Sequence, residues 1–278
     1  MDIGVSIFAT DYAIRMDDLA SELEARGFES LFLPEHTHIP TSRKSPWSLG
    51  GELPKEYWHT HDPFVALSFA AKATSKLKLG TGICLVAQRD TFSTAKSVAS
   101  LDTMSRGRFV FGIGGGWNVE EMEDHGVRYR TRFKLLRERV LAMKRLWTED
   151  EASYQGEMIE FEPAWAWPKP VQKPHPPILL GGESDYTLNR VVEYCDGWIP
   201  RASPAFDPVE GMTRMRQAAE QAGRDPTTLS MSVFRASPNK QTLEAYAAAG
   251  VGRSVLGLPS ADRDTVLKQL DEYAPLLG

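Results

Sequence analysis

One arrangement recurs along the chain and limits its fold more than any other feature: an amphipathic helical stretch, a glycine, and a short apolar strand. Met16, Leu19 and Leu23 fall on one helical face, and Gly27 precedes the apolar run 30–33. Glycine adopts the left-handed conformation that ends many helices. Helices that alternate with short apolar strands indicate βαβ units and a parallel sheet. The same order returns later, with glycines at Gly107, Gly223 and Gly250.

The number of these units favours a closed barrel over an open sheet. An α/β barrel needs roughly 250 residues, and the chain has 278. The sequence therefore predicts an α/β fold, a (β/α)8 TIM barrel forming one domain over residues 1–278; an open doubly wound sheet is the alternative. We expect its strands near residues 2–8, 29–34, 77–85, 108–114, 177–182, 196–199, 228–234 and 253–257.

Two long insertions interrupt this order, one after strand two and one after strand four of the barrel. Residues 36–61 form a proline-rich, aromatic loop, and residues 148–176 contain an expected hairpin. The hairpin would pair 152–154 with 158–161 around a turn at 155–156. Loops of this length inside a domain usually carry function or cover a site.

Charge and hydropathy exclude several classes of partner. The net charge of −5 and a pI of about 5.8 give no basis for a nucleic-acid partner. No apolar run approaches the roughly 20 residues that span a bilayer, and the start of the chain lacks the features of a signal peptide. Cys84 and Cys195 lie in apolar contexts and are expected to be buried, reduced thiols. We therefore expect a cytoplasmic protein with no membrane contact.

Glycines cluster where three of the predicted strands end, at the edge of the barrel that carries the active site in this fold. Such clusters let a flat ligand or a phosphate approach the backbone, or they relieve crowding at the rim. The second cluster is not a dinucleotide fingerprint, because Trp117 stands at the third glycine position of G-x-G-x-x-G. The clusters contain Gly80 and Gly82; Gly112, Gly114, Gly115 and Gly116; and Gly181 and Gly182.

A helix is predicted to begin directly after the third cluster. It runs from Asp185 to Tyr194, with Ser184 in position to cap it. Backbone N–H groups at a helix start can bind an anion. A plain helix cap is the alternative interpretation.

His36 is the best candidate for acid–base chemistry, since imidazole exchanges a proton near neutral pH. Its neighbour Glu35 could orient it or contact a cofactor. The sequence contains two H-x-H pairs, His36 with His38 and His59 with His61. A metal site is the alternative interpretation of these four histidines. No acidic or histidine partners recur at the other strand ends, so we expect no metal.

Taken together and in their order along the chain, these motifs resemble those of a known family. The chain resembles the F420-dependent branch of the luciferase-like monooxygenase superfamily from its first strand to about residue 200, and only in architecture beyond it. The matching segments are Leu33-Pro34-Glu35-His36, Asp62-Pro63-Phe64, Leu79-Gly80-Thr81-Gly82-Ile83, Gly112 through Asn118 with Glu120-Glu121, Gly126, the proline-rich run 168–177, Gly181-Gly182 and Asp196-Gly197-Trp198.

The resemblance implies a planar cofactor across the barrel mouth and a homodimer. The ring would lie against a bulge with a non-proline cis peptide at Gly82-Ile83. Ring and side-chain contacts after strand four would map onto Gly115, Gly116, Trp117 and Glu120. Phosphate-side contacts after strand five would map onto Gly181, Gly182, Glu183 and Ser184.

The chain departs from part of this superfamily. Its sugar-phosphate dehydrogenases place a catalytic carboxylate where Trp117 stands, so their substrate is not transferred. The resulting hypothesis is hydride transfer between coenzyme F420 and a small organic substrate, with His36 moving the proton. The alternatives are an FMN-dependent monooxygenase, a non-catalytic flavin-binding barrel, and a metal hydrolase built on the four histidines.

Overall fold

Eight parallel strands close into a barrel in the computed structural model, which describes residues 1–47, 50–203 and 206–277. The strands are β1 (Asp2–Ser6), β2 (Ser30–Leu33), β3 (Lys78–Thr81), β4 (Phe109–Ile113), β5 (Ala152–Gln155), β6 (Glu160–Ala164), β7 (Ile178–Gly181), β8 (Gly197–Ile199), β9 (Ser230–Ala236) and β10 (Arg253–Gly257). The barrel order is β1-β2-β3-β4-β7-β8-β9-β10, and β5 pairs with β6 in a separate hairpin. The TIM-barrel prediction is confirmed.

Helices surround the barrel, and several of them begin or end at a residue that caps the helix. Gly27 and Gly250 end their helices with φ of 87° and 91°, the left-handed region that glycine adopts without strain. The Asp62 carboxylate accepts backbone N–H bonds at the start of the third helix. The helices are α1 (Met16–Arg26), α2 (Glu56–His59), α3 (Pro63–Ala73), α4 (Thr91–Met104), α5 (Val119–Asp124), α6 (Arg132–Thr148), α7 (Asp185–Tyr194), α8 (Pro208–Gln221), α9 (Lys240–Ala249) and α10 (Arg263–Tyr273).

The strands are buried on both faces, so two apolar layers form. Along β2, Leu31 and Leu33 pack in the layer between sheet and helices, and Phe32 packs inside the barrel. Ile83 and Phe234 lie on top of this interior packing and also line the cavity above it. The barrel interior is therefore filled, and ligands have access only to its mouth.

Several predicted strand ends were wrong by two residues or more; β1 ends at Ser6, not at residue 8, and β9 ends at Ala236, not at residue 234. β3 ends at Thr81, not at residue 85; the next peptide, Gly82–Ile83, is cis as the resemblance implied. Cys84 rejoins the sheet through an isolated bridge to Ile113. β9 begins at Ser230, two residues later than predicted, because residues 226–228 form a short 3-10 turn.

The insertions contain more structure than the sequence indicated. The hairpin is confirmed, but its second strand begins at Glu160. Met158 and Ile159 instead donate their backbone N–H groups to the Glu138 carboxylate of α6, at 2.7 and 3.0 Å. The first insertion, predicted as a loop, includes the short helix α2. Residues 48–49 of that insertion lie outside the described residues.

Two further features of the fold are its buried cysteines and its exposed apolar side chains. Cys84 and Cys195 are buried and unpaired, as predicted. Among the described residues, no helix has the length and apolar character to cross a membrane. Phe92, Trp165 and Trp167 expose large apolar side chains on the outer surface. The homodimer stays a prediction.

Candidate active site

A cavity of about 350 Å³ opens at the carboxyl ends of the barrel strands. All eight barrel strands, or the residues that directly follow them, contribute to its wall. The lining residues are Ser6, Ile7, Phe8, Pro34, Glu35, His36, Tyr57, Gly82, Ile83, Leu85, Gly114, Gly115, Gly116, Trp117, Phe133, Gly181, Gly182, Glu183, Ile199, Arg201, Phe234, Arg235, Gly257 and Leu258.

His36 lies in this wall as one half of a buried pair. Its Nδ1 is 2.8 Å from Oε2 of Glu121, whose side chain is fully buried at the start of α5. A carboxylate only accepts hydrogen bonds, so Nδ1 carries the proton. Nε2 has no hydrogen-bond partner within the described residues. A neutral His36 therefore presents an acceptor nitrogen, and a charged His36 presents a donor.

Backbone groups hold the Glu121 carboxylate in place. Oε1 accepts the backbone N–H of Thr37 at 3.1 Å, and the Glu121 N–H donates to the side chain of Asn118, which caps α5. The carboxylate thus joins the end of β2 to the start of α5. Its charge is placed to stabilise an imidazolium on His36.

Aromatic rings enclose the histidine. The His36 ring lies 5.2 Å from the Tyr57 ring and 5.9 Å, edge-on, from the Trp117 ring. Phe8 packs on the other side of Tyr57 at 4.6 Å. The Trp47 indole N–H donates to the Tyr57 hydroxyl at 3.1 Å. The first insertion therefore supplies one wall of the site and limits the access of water to His36.

Glu35 does not orient His36, contrary to the first of its two predicted roles. Its carboxylate accepts the backbone N–H of Leu85 at 2.7 Å and pairs with Arg89. Arg89 also pairs with Asp62. Burial opposes the charge of the Arg89 guanidinium, but Cys84, Glu35 and Asp62 together raise its pKa. Burial raises the pKa of the neighbouring Cys84 thiol. This network fixes the segment after β3, where the cis peptide lies.

Glycines allow the backbone to pack closely against side chains in this wall. A Cβ on Gly114 would lie 2.6 Å from the Ile83 side chain, and one on Gly181 would lie 3.3 Å from it. Gly116 and Gly182 have φ of 71° and 110°, which other residues adopt only with strain. Gly114 and Gly181 therefore leave space for the Ile83 side chain, and all three residues line the cavity. This apolar, glycine-edged cleft fits a flat ring system.

Most of the predicted site residues converge on the cavity, and two do not. Glu120 accepts a hydrogen bond from the Ser45 hydroxyl and does not line it. Ser184 occupies the N-cap position of α7 but makes no side-chain cap; its hydroxyl contacts the Thr187 hydroxyl at 3.0 Å. The roles of all these residues toward a cofactor stay predictions. Those that line the cavity are Glu35, His36, Gly82, Ile83, Gly115, Gly116, Trp117, Gly181, Gly182 and Glu183.

Several lining or supporting residues were missed. The Asn118-x-x-Glu121 spacing is that of a capping box, which was a signal for Glu121; its carboxylate reaches Thr37 instead of the cap. Arg201 and Arg235 carried no local signal. Other missed residues that line the cavity include Tyr57, Phe133 and Phe234.

The histidines of the metal alternative have separate partners. His38 contacts Asp124 at 3.0 Å, and His59 contacts Asp11 at 2.9 Å. Over residues 1–47, 50–203 and 206–277, no group of three or more His, Cys, Asp or Glu side chains could hold a metal ion.

These features define a TIM barrel with a cavity at the carboxyl ends of its strands, and comparison with known proteins gives its family. The model of the luciferase-like monooxygenase family matches residues 6–274. The chain belongs to this family. An uncharacterised protein of Mycobacterium tuberculosis is 37% identical over 286 residues, which cover 100% of this chain and 99% of the relative.

F420-dependent enzymes are among the similar proteins. The F420-dependent hydroxymycolic acid dehydrogenase of M. tuberculosis is 26% identical over 81% of this chain and 60% of its own length. The solved structure of an F420-dependent secondary alcohol dehydrogenase with an F420–acetone adduct superimposes with a TM-score of 0.76 at 17% identity, covering 100% of both chains. The second likeness shows the shared fold.

Proposed function

We propose that this protein is an oxidoreductase that transfers a hydride between coenzyme F420 and a small organic substrate. The observation that carries the proposal is the His36 imidazole, fixed at Nδ1 by buried Glu121 and open at Nε2, beside a cleft shaped for a planar ring. The F420-dependent relatives support the choice of cofactor.

The glycine-edged cleft would hold the cofactor. Gly82, Ile83, Gly115, Gly116 and Trp117 would contact its ring. Gly181, at the end of β7, and Gly182 and Glu183 after it would face its phosphate. When bound, the cofactor supplies or accepts the hydride at a ring carbon, and the protein provides orientation and electrostatics.

His36 would move the proton that accompanies the hydride. In the reductive direction, a protonated Nε2 donates to the oxygen or carbon of the substrate as it gains charge. Glu121 keeps the proton on Nδ1 and stabilises the imidazolium. Tyr57 and Trp117 exclude water from this transfer. Oxidation of an alcohol uses the same atoms in reverse, with neutral His36 as the base.

The first experiment is a titration of purified protein with F420 and, separately, with FMN, followed by ring fluorescence. We expect tight binding of F420 and weak binding of FMN. A preference for FMN would move the function to an oxygen-using monooxygenase, and binding of neither would refute the proposal.

A turnover assay separates an enzyme from a non-catalytic binding barrel. Secondary alcohols with oxidised F420, and ketones and enones with reduced F420, form the first panel, because a similar fold is that of a secondary alcohol dehydrogenase. Any turnover should fall sharply in His36→Gln while F420 affinity stays. Tight F420 binding without turnover over a broad panel would favour the binding barrel.

A further inference from the structure

Two arginines line the cavity on the side opposite His36. Arg201 follows β8 and Arg235 lies in β9, and β8 stands four strands from β2 around the eight-stranded barrel. Neither guanidinium makes a hydrogen bond or an ion pair with any described residue, whereas Arg89, which follows β3, pairs with Glu35 and Asp62. The far wall of the cavity therefore carries uncompensated positive charge.

A bulge in β9 directs Arg235 toward the cavity. In the ladder with β10, Val255 pairs with Phe234 and Leu256 pairs with Ala236, so Arg235 is the extra residue. Its φ of 54° lies in the left-handed region, which a non-glycine residue adopts at a cost. Bulges at barrel rims re-aim side chains, and retained strain of this kind clusters at ligand sites. The backbone conformation thus explains how adjacent Phe234 and Arg235 both line the cavity.

Arg201 is held beside this bulge. It bridges to Phe234 in the sheet, and its backbone N–H donates to Oε1 of Glu183 at 2.8 Å. The Glu183 carboxylate thus binds the Arg201 backbone and forms no ion pair with the guanidinium. The two guanidiniums come from neighbouring strands and remain available for a ligand.

We propose that Arg201 and Arg235 bind an oxyanion of the substrate, a carboxylate or a phosphate. Guanidinium groups form strong, often paired hydrogen bonds with such groups. This assignment rests on the proposed function and deepens it: the substrate carries its reacting carbon toward His36 and its anionic group toward β8 and β9. The anionic tail of the cofactor is the other source of an oxyanion, and the test separates the two.

The first test uses inorganic phosphate and cofactor-free protein. Tm is measured against phosphate concentration at constant ionic strength in chloride, for the wild type and the double variant Arg201→Gln/Arg235→Gly. Arg145→Gln, which removes a surface charge that pairs with Glu149, is the control. We expect phosphate to bind the double variant at least about tenfold more weakly and the control unchanged. Equal binding to wild type and double variant, or none to wild type, would overturn the proposal.

The second test titrates the same variants with F420. Unchanged F420 affinity, together with weaker phosphate binding, assigns the oxyanion to the substrate. An F420 affinity about tenfold lower or more would assign it to the cofactor tail and refute the substrate assignment. Glycine adopts the φ of residue 235 without strain, so Arg235→Gly should leave the bulge intact. The double variant Arg201→Lys/Arg235→Lys is a second, less disruptive pair of changes. If wild type binds phosphate but no F420, the proposed cofactor fails while the arginine site stands.

Discussion

The two ends of the barrel differ in how completely their arginines are paired. At the amino end, the Glu29 carboxylate receives two hydrogen bonds from the Arg253 guanidinium, both at 2.7 Å, and pairs with Lys78 at 2.8 Å. At the carboxyl end, Arg201 and Arg235 have no such partner among the described residues. The amino end is built for stability and the carboxyl end for binding, as in other barrels of this kind.

Backbone groups at the amino end are satisfied in the same manner. Glu24 accepts backbone N–H groups from the loop before β3, and the pKa of its carboxyl falls to about 2 although burial opposes this. Arg108 donates to carbonyl oxygens of Ala71 and Leu77. Each of these groups closes a loop between strands. A change there is expected to affect folding, and a change at the mouth is expected to affect turnover.

The largest expected effect belongs to the mouth. His36→Gln removes the proton donor but keeps a polar side chain of similar reach. We expect kcat with F420 and a reactive substrate to fall by about 10²- to 10⁴-fold, with little change in Tm or F420 affinity. His38→Gln is the matched control, since His38 belongs to the same H-x-H pair but contacts exposed Asp124. Equal losses in the two variants would count against the role of His36.

At the amino end, Glu29→Gln should cost stability and leave kcat unchanged. Burial opposes ionisation of Glu29, but the hydrogen bonds and charge of Arg253, with Lys78, lower its pKa from 4.5 to about 2. That difference corresponds to roughly 3 kcal/mol at neutral pH. Urea unfolding should show a loss of this order. Asp17→Asn, which breaks an exposed pair with Arg15, should cost less than about 1 kcal/mol.

The same carboxylate predicts a pH dependence of stability. Because the folded-state pKa is lowered, the stabilisation is fully present above about pH 4.5 and is lost as pH falls towards 2. The difference in unfolding free energy between wild type and Glu29→Gln should therefore shrink over this range. A constant difference would mean that packing, not charge, accounts for it.

Glu121 should give a smaller change in turnover than His36. Glu121→Gln keeps a side chain that accepts from Nδ1 and Thr37 but removes the charge that favours the imidazolium. We expect kcat to fall by about tenfold. Glu121→Ala, which also leaves His36 unanchored, should be slower still. A loss of stability with no loss of kcat would reduce Glu121 to a packing role.

The sequence predicts features that depend on local signals better than features that depend on contacts distant in the chain. The barrel depends on local signals: periodic apolar residues, the glycine that ends a helix, and short apolar strands. Gly27 and Gly250 adopt the expected left-handed conformation for that reason. His36 was visible because a strand end in a barrel restricts where its side chain can be.

The partners of these residues depend on contacts that are distant in the chain. Glu120 and Glu121 are adjacent residues of the six-residue helix α5. Because this helix is so short, its periodicity does not show which of the two side chains faces the barrel. Glu121 is the buried one, and its partner lies 85 residues away. Arg235 reaches the cavity only because β9 and β10 shift register, which no local pattern records.

The smallest expected effect tests strain at the mouth itself. Arg235→Gly keeps the left-handed conformation of the bulge, where φ is 54°, and removes its cost for a residue with a Cβ. Glycine also gains entropy in the unfolded chain, so we expect a net stabilisation of only about 0.5–1 kcal/mol. Urea unfolding measures this, with Arg235→Ala as the matched variant that loses the guanidinium but keeps the strain. A glycine variant no more stable than the alanine variant would show that the bulge is unstrained. A more stable glycine variant with weaker anion binding would show that Arg235 lowers the stability of the protein and contributes to anion binding.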